Sequence, residues 1–325
     1  MNLLEQQAAN RRRTWQVVIV FVLVLAAVGA GLDLFVIGQG ATYVPVGTLT
    51  ALAFGSGSAW FTLRNGDRAI LASAQAEPLE TRLARAGTED DRFRCQQFKN
   101  VVEEMAIAAG LPVPAAYVIP DDDANAFATG RDPEHASIAV TEGLLRTLNR
   151  EELQGVVAHE MGHVKNLDIR LMMMIAALVG AVVLIADWSG RSMRFGGSRR
   201  GGKNAGAAVL VFFVIWLLAI VVAPIVAKLL AMSVSRTREY LADASGAELT
   251  RNPLALANAL RKIEADAAPT EAIKQGSAAL CITDPVGRAV NDREGRWANL
   301  WATHPPMARR IEALDAMAYQ RAASR

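Results

Sequence analysis

Histidine is scarce in this chain. Only four occur in 325 residues, at 135, 159, 163 and 304. Cysteine is scarcer still. The two cysteines, Cys95 and Cys281, form neither a metal-spaced pair nor a disulfide framework, which fits a reducing compartment. Charge is nearly balanced, at +2, and no basic-aromatic run is present, so nothing points to nucleic acid. No internal repeat or low-complexity tract is evident. Hydrophobic residues, by contrast, reach 52% and the mean hydropathy is positive, which is high for a soluble enzyme of this length.

Two of the four histidines stand in His159-Glu160-Met161-Gly162-His163, an HExxH motif. A chance match in a chain this poor in histidine is rare, roughly a few in a thousand. Positions i and i+4 of a helix lie one turn apart on one face, so both imidazoles can bind one metal ion. Glu160 lies beside that face, within reach of a water as general base. The flanking pattern predicts a helix. Asn149 with Glu152 three residues later is a capping box, and Leu153, Val157, Met161 and Val164 recur at helical spacing. That stripe would pack on a core while the histidines face a cleft.

A catalytic zinc takes three protein ligands and keeps an open position for water. His135 and His304 remain among the histidines, and Glu239 is the better candidate. It lies on a second helical segment with Asp243 one turn on. Glu239 would complete a His-His-Glu site, and Asp243 would orient a ligating imidazole from behind. Glu and Asp at this spacing also occur on ordinary solvated helix faces.

Further motifs accompany this pair. They are Val102-Glu103-Glu104-Met105-Ala106 with Ala109-Gly110-Leu111-Pro112, Asn125-Ala126-Phe127-Ala128-Thr129-Gly130, and Thr141-Glu142-Gly143-Leu144-Leu145. Asn166 and Asp168 follow the HExxH run, Arg238-Glu239 leads to Ala242-Asp243, and Thr303-His304-Pro305-Pro306 precedes Arg310-Ile311. In this order and at these separations, the chain resembles the HtpX family of bacterial membrane zinc metalloproteases. The resemblance runs through most of the chain. It implies one zinc ion per chain, Glu239 as third ligand, and an endopeptidase of membrane-protein quality control. Unfolded or misfolded proteins would be its substrates and the lipid bilayer its setting. Candidates to steady the oxyanion or contact substrate are His304, Tyr240, Arg310 and Asn125. The region 125–141 could also present a strand edge for β-augmentation. His304 and Arg310 could equally be structural ties.

Four apolar runs predict membrane-associated helices. Residues 15–38 follow Arg11-Arg12-Arg13, which keeps the N-terminus cytoplasmic. Residues 43–63 are rich in small side chains, suit a packed hairpin and end at Arg64 and Arg68. Residues 171–186 are short for a span, and 205–234 are long and exit at Arg236 and Arg238. Five basic residues lie in 188–204 between them. If both runs cross, this loop opposes the positive-inside rule, so a shallow hairpin competes with a full span, which the length of the fourth run favours. Asp33, Asp187 and Lys228 read as interface snorkellers.

The expected fold is mainly α with a small β-sheet, an α+β zincin-like peptidase domain plus four apolar helices. Helix is expected over 98–109 and strands over 115–119 and 137–141, with a solvated turn at Asp121-Asp122-Asp123. The expected divisions are a membrane hairpin (1–64), a first peptidase part (65–170), a second hairpin (171–234) and a second peptidase part (235–325). The resulting expectation is a multi-pass protein of the bacterial inner membrane with its active site in the cytoplasm. Two rival readings are an intramembrane protease and a non-proteolytic membrane scaffold or transporter with a structural metal. The polar flanks of the HExxH run oppose the first, and the lack of a nearby fourth Cys or His ligand opposes the second.

Overall fold

The computed structural model describes residues 3–38, 44–175, 236–265, 280–282 and 305–323. Two long helices come first, α1 (Leu3–Gly38) and α2 (Val46–Ser73). They pack closely because the contact is lined by small residues. A Cβ on Gly29 would lie 2.5 Å from the Gly47 carbonyl oxygen, so this crossing excludes any side chain there. Asp33 does not snorkel. Its carboxylate accepts from the backbone N–H groups of Gly47 and Thr48 at 2.7 and 2.8 Å and from Thr48 Oγ1 at 2.6 Å. It therefore supplies acceptors to the open N-terminus of α2. Among the described residues no helix is long and apolar enough to cross a membrane. Residues 15–38 of the first run lie in α1 and residues 46–63 of the second in α2. Of the other two, residues 176–186 and 205–234 lie outside the described residues.

A short strand β1 (Glu77–Pro78) leads through α3 (Leu79–Ala84) to α4 (Glu89–Ala109). Thr88 caps α4 by accepting from Asp91 N, and Gly110 ends it in the left-handed region at φ 68°. Strands β2 (Ala115–Ile119), β3 (Ala126–Thr129) and β4 (Ser137–Thr141) follow. The sheet order is β1-β2-β4-β3, with β2 and β4 parallel and the outer pairs antiparallel. Of the expected aspartate turn, Asp122 is open to solvent and pairs with Arg146, whereas Asp123 is buried. Thr141 Oγ1 joins this turn by donating to the Asp123 carbonyl at 2.5 Å and accepting from Asn125 N at 2.9 Å.

Helices α5 (Glu142–Thr147) and α6 (Arg150–Lys165) complete the first part. The second contributes α7 (Arg236–Thr250), α8 (Pro253–Ala265) and α9 (Met307–Ala323). The main core gathers Phe98, Val102 and Met105 of α4, Val157 and Met161 of α6, and Leu256 and Leu260 of α8. Helix α6 runs through its middle, so nearly its whole circumference is buried. The fold class read from the sequence holds here as mainly helical with a small mixed sheet.

Candidate metal centre

Helix α6 starts where the sequence says it must. Asn149 accepts from Glu152 N at 3.0 Å, and Glu152 Oε2 accepts from Asn149 N at 2.9 Å. Lys262 of α8 then pairs with Glu152 at 2.7 Å, which fixes this end of the helix against the second part. Leu153, Val157, Met161 and Val164 are all buried as the stripe requires. The histidines do not face an open cleft, however. His159 is 1% and His163 5% exposed, because α7 covers them.

The close passage of α7 depends on two glycines. A Cβ on Gly246 would come within 3.1 Å of His159 N, and one on Gly162 within 3.3 Å of Ala242 Cα. With no side chain on either glycine, the backbones approach and Glu239 reaches the histidines. His163 Nε2 lies 3.6 Å from Glu239 Oε1, and His159 Nε2 lies 3.9 Å from Glu239 Oε2. The two Nε2 atoms are 3.2 Å apart. His159, His163 and Glu239 thus form one group of possible metal donors whose ligand atoms all lie within 4.8 Å of one another.

Behind each imidazole stands a carboxylate. His159 Nδ1 is 2.9 Å from Asp243 Oδ1, and His163 Nδ1 is 3.2 Å from Asp168 Oδ2. A carboxylate behind each Nδ1 favours the tautomer with the proton on that nitrogen, which would leave the Nε2 lone pairs facing each other. Two lone pairs at 3.2 Å repel unless a cation lies between them. Burial pulls the His163 pKa down, but the Asp168 hydrogen bond and the Glu239, Asp168 and Glu160 charges outweigh it and push it up to about 9. The surrounding carboxylates thus favour positive charge at His163. Tetrahedral zinc, with bonds of about 2.0–2.1 Å, would set two nitrogens roughly 3.3 Å apart, so the donors fit. Among the described residues, four buried carboxylates here (Glu160, Asp168, Glu239, Asp243) meet two buried guanidiniums (Arg238, Arg310). That formal excess of negative charge also suits a divalent cation.

Glu160 lies beside the donors and is 1% exposed. Burial raises its pKa, although His159, His163 and a backbone hydrogen bond from Ala128 oppose that shift. The Ala128 contact ties the candidate base to β3. It also corrects the expected free strand edge. All four β3 residues are buried, Ile282 N donates to the Ala126 carbonyl at 2.9 Å, and Phe127 bridges Cys281. The chain's own residues 281–282 thus pair with this part of the edge. Asn125 is buried in the Thr141 tie.

Arg310 is fully buried and acts as a tie. Its Nε and Nη2 donate to Asp243 at 2.9 and 2.7 Å, and Nη1 donates to the Ile282 carbonyl at 3.2 Å. Burial opposes its charge, but Asp243 more than compensates and its pKa rises. Asp243 is held below its ordinary value, because Arg310 and His159 overcome the effect of burial. Tyr240 is half-buried on α7, next to Glu239, and His304 lies outside the described residues. His135 is not drawn into the centre. It is exposed, with Nδ1 against Asp132 and Nε2 2.6 Å from Arg131 Nη2. Asp168, which enters the sequence reading only among the accompanying motifs, is the carboxylate behind His163 that spacing alone did not single out. The signal for it was a carboxylate five positions after His163.

The model of peptidase family M48 matches residues 93–318. A protease HtpX homolog of Thermoanaerobacter pseudethanolicus is 38% identical over 97% of this chain and 98% of its own. That of Tropheryma whipplei is 48% identical over 68% of this chain and 72% of its own. The crystal structure of S. mikatae Ste24p aligns at 18% identity with a TM-score of 0.40, covering 82% of this chain and 64% of that one, too loose a likeness to carry an argument. With a peptidase-family match across the donor residues and full-length relatives above a third identical, the chain belongs to the HtpX family of M48 metallopeptidases, enzymes that hydrolyse peptide bonds.

Proposed function

We propose that this chain is a zinc endopeptidase of the bacterial inner membrane that cleaves misfolded or damaged proteins at the cytoplasmic face. His159, His163 and Glu239 would hold one zinc ion. The observation that carries the reading is the convergence of two Nε2 atoms and the Glu239 carboxylate, each imidazole backed by a buried aspartate. When bound, zinc supplies Lewis acidity toward the scissile carbonyl and lowers the pKa of water.

The chain's own residues divide the remaining work. Glu160 takes the proton of the attacking water and returns it to the leaving amine. Its burial favours the protonated form, which suits the second role, and the Ala128 N–H and the histidines favour the carboxylate, which suits the first. Asp243 and Asp168 hold the imidazole tautomers. Arg310 fixes Asp243. The donor group contains no fourth protein ligand among the described residues, which leaves a position for water and favours a catalytic over a structural metal.

The membrane reading rests on the apolar runs with their basic flanks and on the four-part division of the chain. Two crossings by residues 15–38 and 43–63 would return the chain to the cytoplasm at Arg64 and Arg68. A full hairpin from 171–186 and 205–234 would bring it back there at Arg236 and Arg238, and a shallow one would never leave that side. Exposed aromatics on α2, Phe54, Trp60 and Phe61, are suited to lipid contact, and the Arg64 guanidinium lies 5.4 Å from the Trp60 ring.

Metal analysis with a casein digestion assay tests the enzyme reading. One zinc per chain and chelator-sensitive cleavage are expected, and cleavage that survives complete metal removal would overturn it. Cysteine labelling tests the topology, since both native cysteines are buried. A cysteine at Thr147 should resist a membrane-impermeant reagent applied to intact cells. Labelling there would place the site outside.

A further inference from the structure

The first helix extends to the metal donors. Asn10 of α1 is 2% exposed, and its side-chain amide is enclosed by the turn that follows α6. Nδ2 donates to Asp168 Oδ1 at 2.7 Å and to the Asn166 carbonyl at 2.8 Å. The other carboxylate oxygen, Asp168 Oδ2, faces His163 Nδ1 at 3.2 Å. A continuous path thus runs from α1 through Asp168 to a metal donor. Gln7, one turn earlier, donates to the Lys165 carbonyl at 2.7 Å and docks the same face of α1. Thr14 Oγ1 donates to the Asn10 carbonyl at 2.9 Å, one turn later.

The turn needs this support. Leu167 has φ 59°, a left-handed conformation that costs a non-glycine residue about 1 kcal/mol or more. The bend lets Asp168 fold back on His163 instead of continuing away from it. Asn10 fastens the bend at the Asn166 carbonyl and Asp168 at its far oxygen, using both amide hydrogens. An aspartate at this position would instead set two buried carboxylates at hydrogen-bonding distance.

We propose that Asn10 is a positioning residue of the metal centre. By holding the Asp168 carboxylate it keeps the His163 Nδ1 proton engaged and aims the Nε2 lone pair at the metal. The N-terminal helix is then part of the peptidase site, although the matched peptidase region begins at residue 93. The inference rests on His163 being a ligand.

The test uses the full chain in lipid nanodiscs. Zinc affinity is read by chelator competition, and ligand geometry by the visible spectrum of the Co²⁺-substituted protein. Asn10→Ala should weaken zinc about three- to tenfold, short of the ~10–100-fold expected for Asp168→Ala, which removes the group directly behind the imidazole. Asn10→Asp, nearly the same shape, should weaken zinc more than Asn10→Ala. In an Asp168→Ala background, Asn10→Ala should add nothing, because both act through one path. Gln7→Ala should leave zinc affinity and the Co²⁺ spectrum unchanged. Additive losses, or an equal loss in Gln7→Ala, would mean that α1 supports only the fold, and would overturn the inference. If His163→Ala keeps zinc, the ligand assignment itself fails. If His163→Ala loses zinc while Asn10→Ala keeps wild-type affinity, only the role of Asn10 fails.

Discussion

Among the described residues two regions place an aspartate behind an imidazole, and only one of them gathers a group of possible metal donors. In the loop before β4, His135 Nδ1 meets Asp132 and the pair is exposed to solvent, with half of the His135 side chain open. In the interior, His159 meets Asp243 and His163 meets Asp168, all buried. The difference lies at the other nitrogen. His135 Nε2 is turned to the Arg131 guanidinium, a donor that occupies its lone pair. The Nε2 atoms of His159 and His163 are turned to each other and to Glu239, and the Arg310 guanidinium, engaged by Asp243 at 2.7 and 2.9 Å, comes only within 3.5 Å of His159 Nε2. A carboxylate behind an imidazole fixes its tautomer. The groups in front of it decide whether it can bind a cation.

The most severe way to break the interior region is to remove a ligand. His159→Ala or His163→Ala should abolish stoichiometric zinc and cleavage together, read by metal analysis and peptide hydrolysis. Glu160→Gln should separate the two. It keeps the three donors, so zinc stays bound, while loss of the base lowers kcat by roughly 10²–10⁴. Full activity in Glu160→Gln would remove its proposed role.

Asp243 sharpens the comparison further. As a group behind His159, its replacement by alanine should weaken zinc about 10–100-fold. It also holds the fully buried Arg310 through two hydrogen bonds. Removing the main partner of that buried charge should cost up to about 3–5 kcal/mol of stability. Asp243→Ala should therefore lower both metal affinity and the thermal midpoint, and the midpoint by more than Glu239→Ala does, because Glu239 only approaches Arg310 at 3.5 Å while Asp243 holds it by two short hydrogen bonds. Equal thermal effects at saturating zinc would contradict the Arg310 tie.

These contrasts separate what the sequence could show from what it could not. The HExxH spacing, the Asn149 cap and the extents of β2 and β4 depend on neighbours within a few residues, and all are found where local pattern puts them. The pairing of His159 with Glu239 was reachable through the order of family motifs. The two-residue β1 and the four-residue β3 are too short for a period to register. Arg310 on Asp243 and Asn10 on Asp168 join positions 67 and 158 residues apart, and no local pattern encodes them. The burial of the histidines was missed for the same reason. It follows from the Gly162–Gly246 crossing between two helices that the sequence separates widely.

The smallest expected effect is the most discriminating for the third ligand. His135 was the other described histidine that could have completed the site. Its partners are half-exposed, with 50% of the His135 and 36% of the Asp132 side chain open to solvent. Exposed ion pairs of this kind contribute about 0.2–1 kcal/mol. His135→Ala should therefore lower stability by no more than that and leave zinc stoichiometry and cleavage unchanged. Glu239→Ala, measured beside it at low free zinc, should lose the metal. If the order is reversed, with zinc lost from His135→Ala and retained by Glu239→Ala, the interior carboxylate is not the ligand, and the exposed imidazole must move inward to reach the metal.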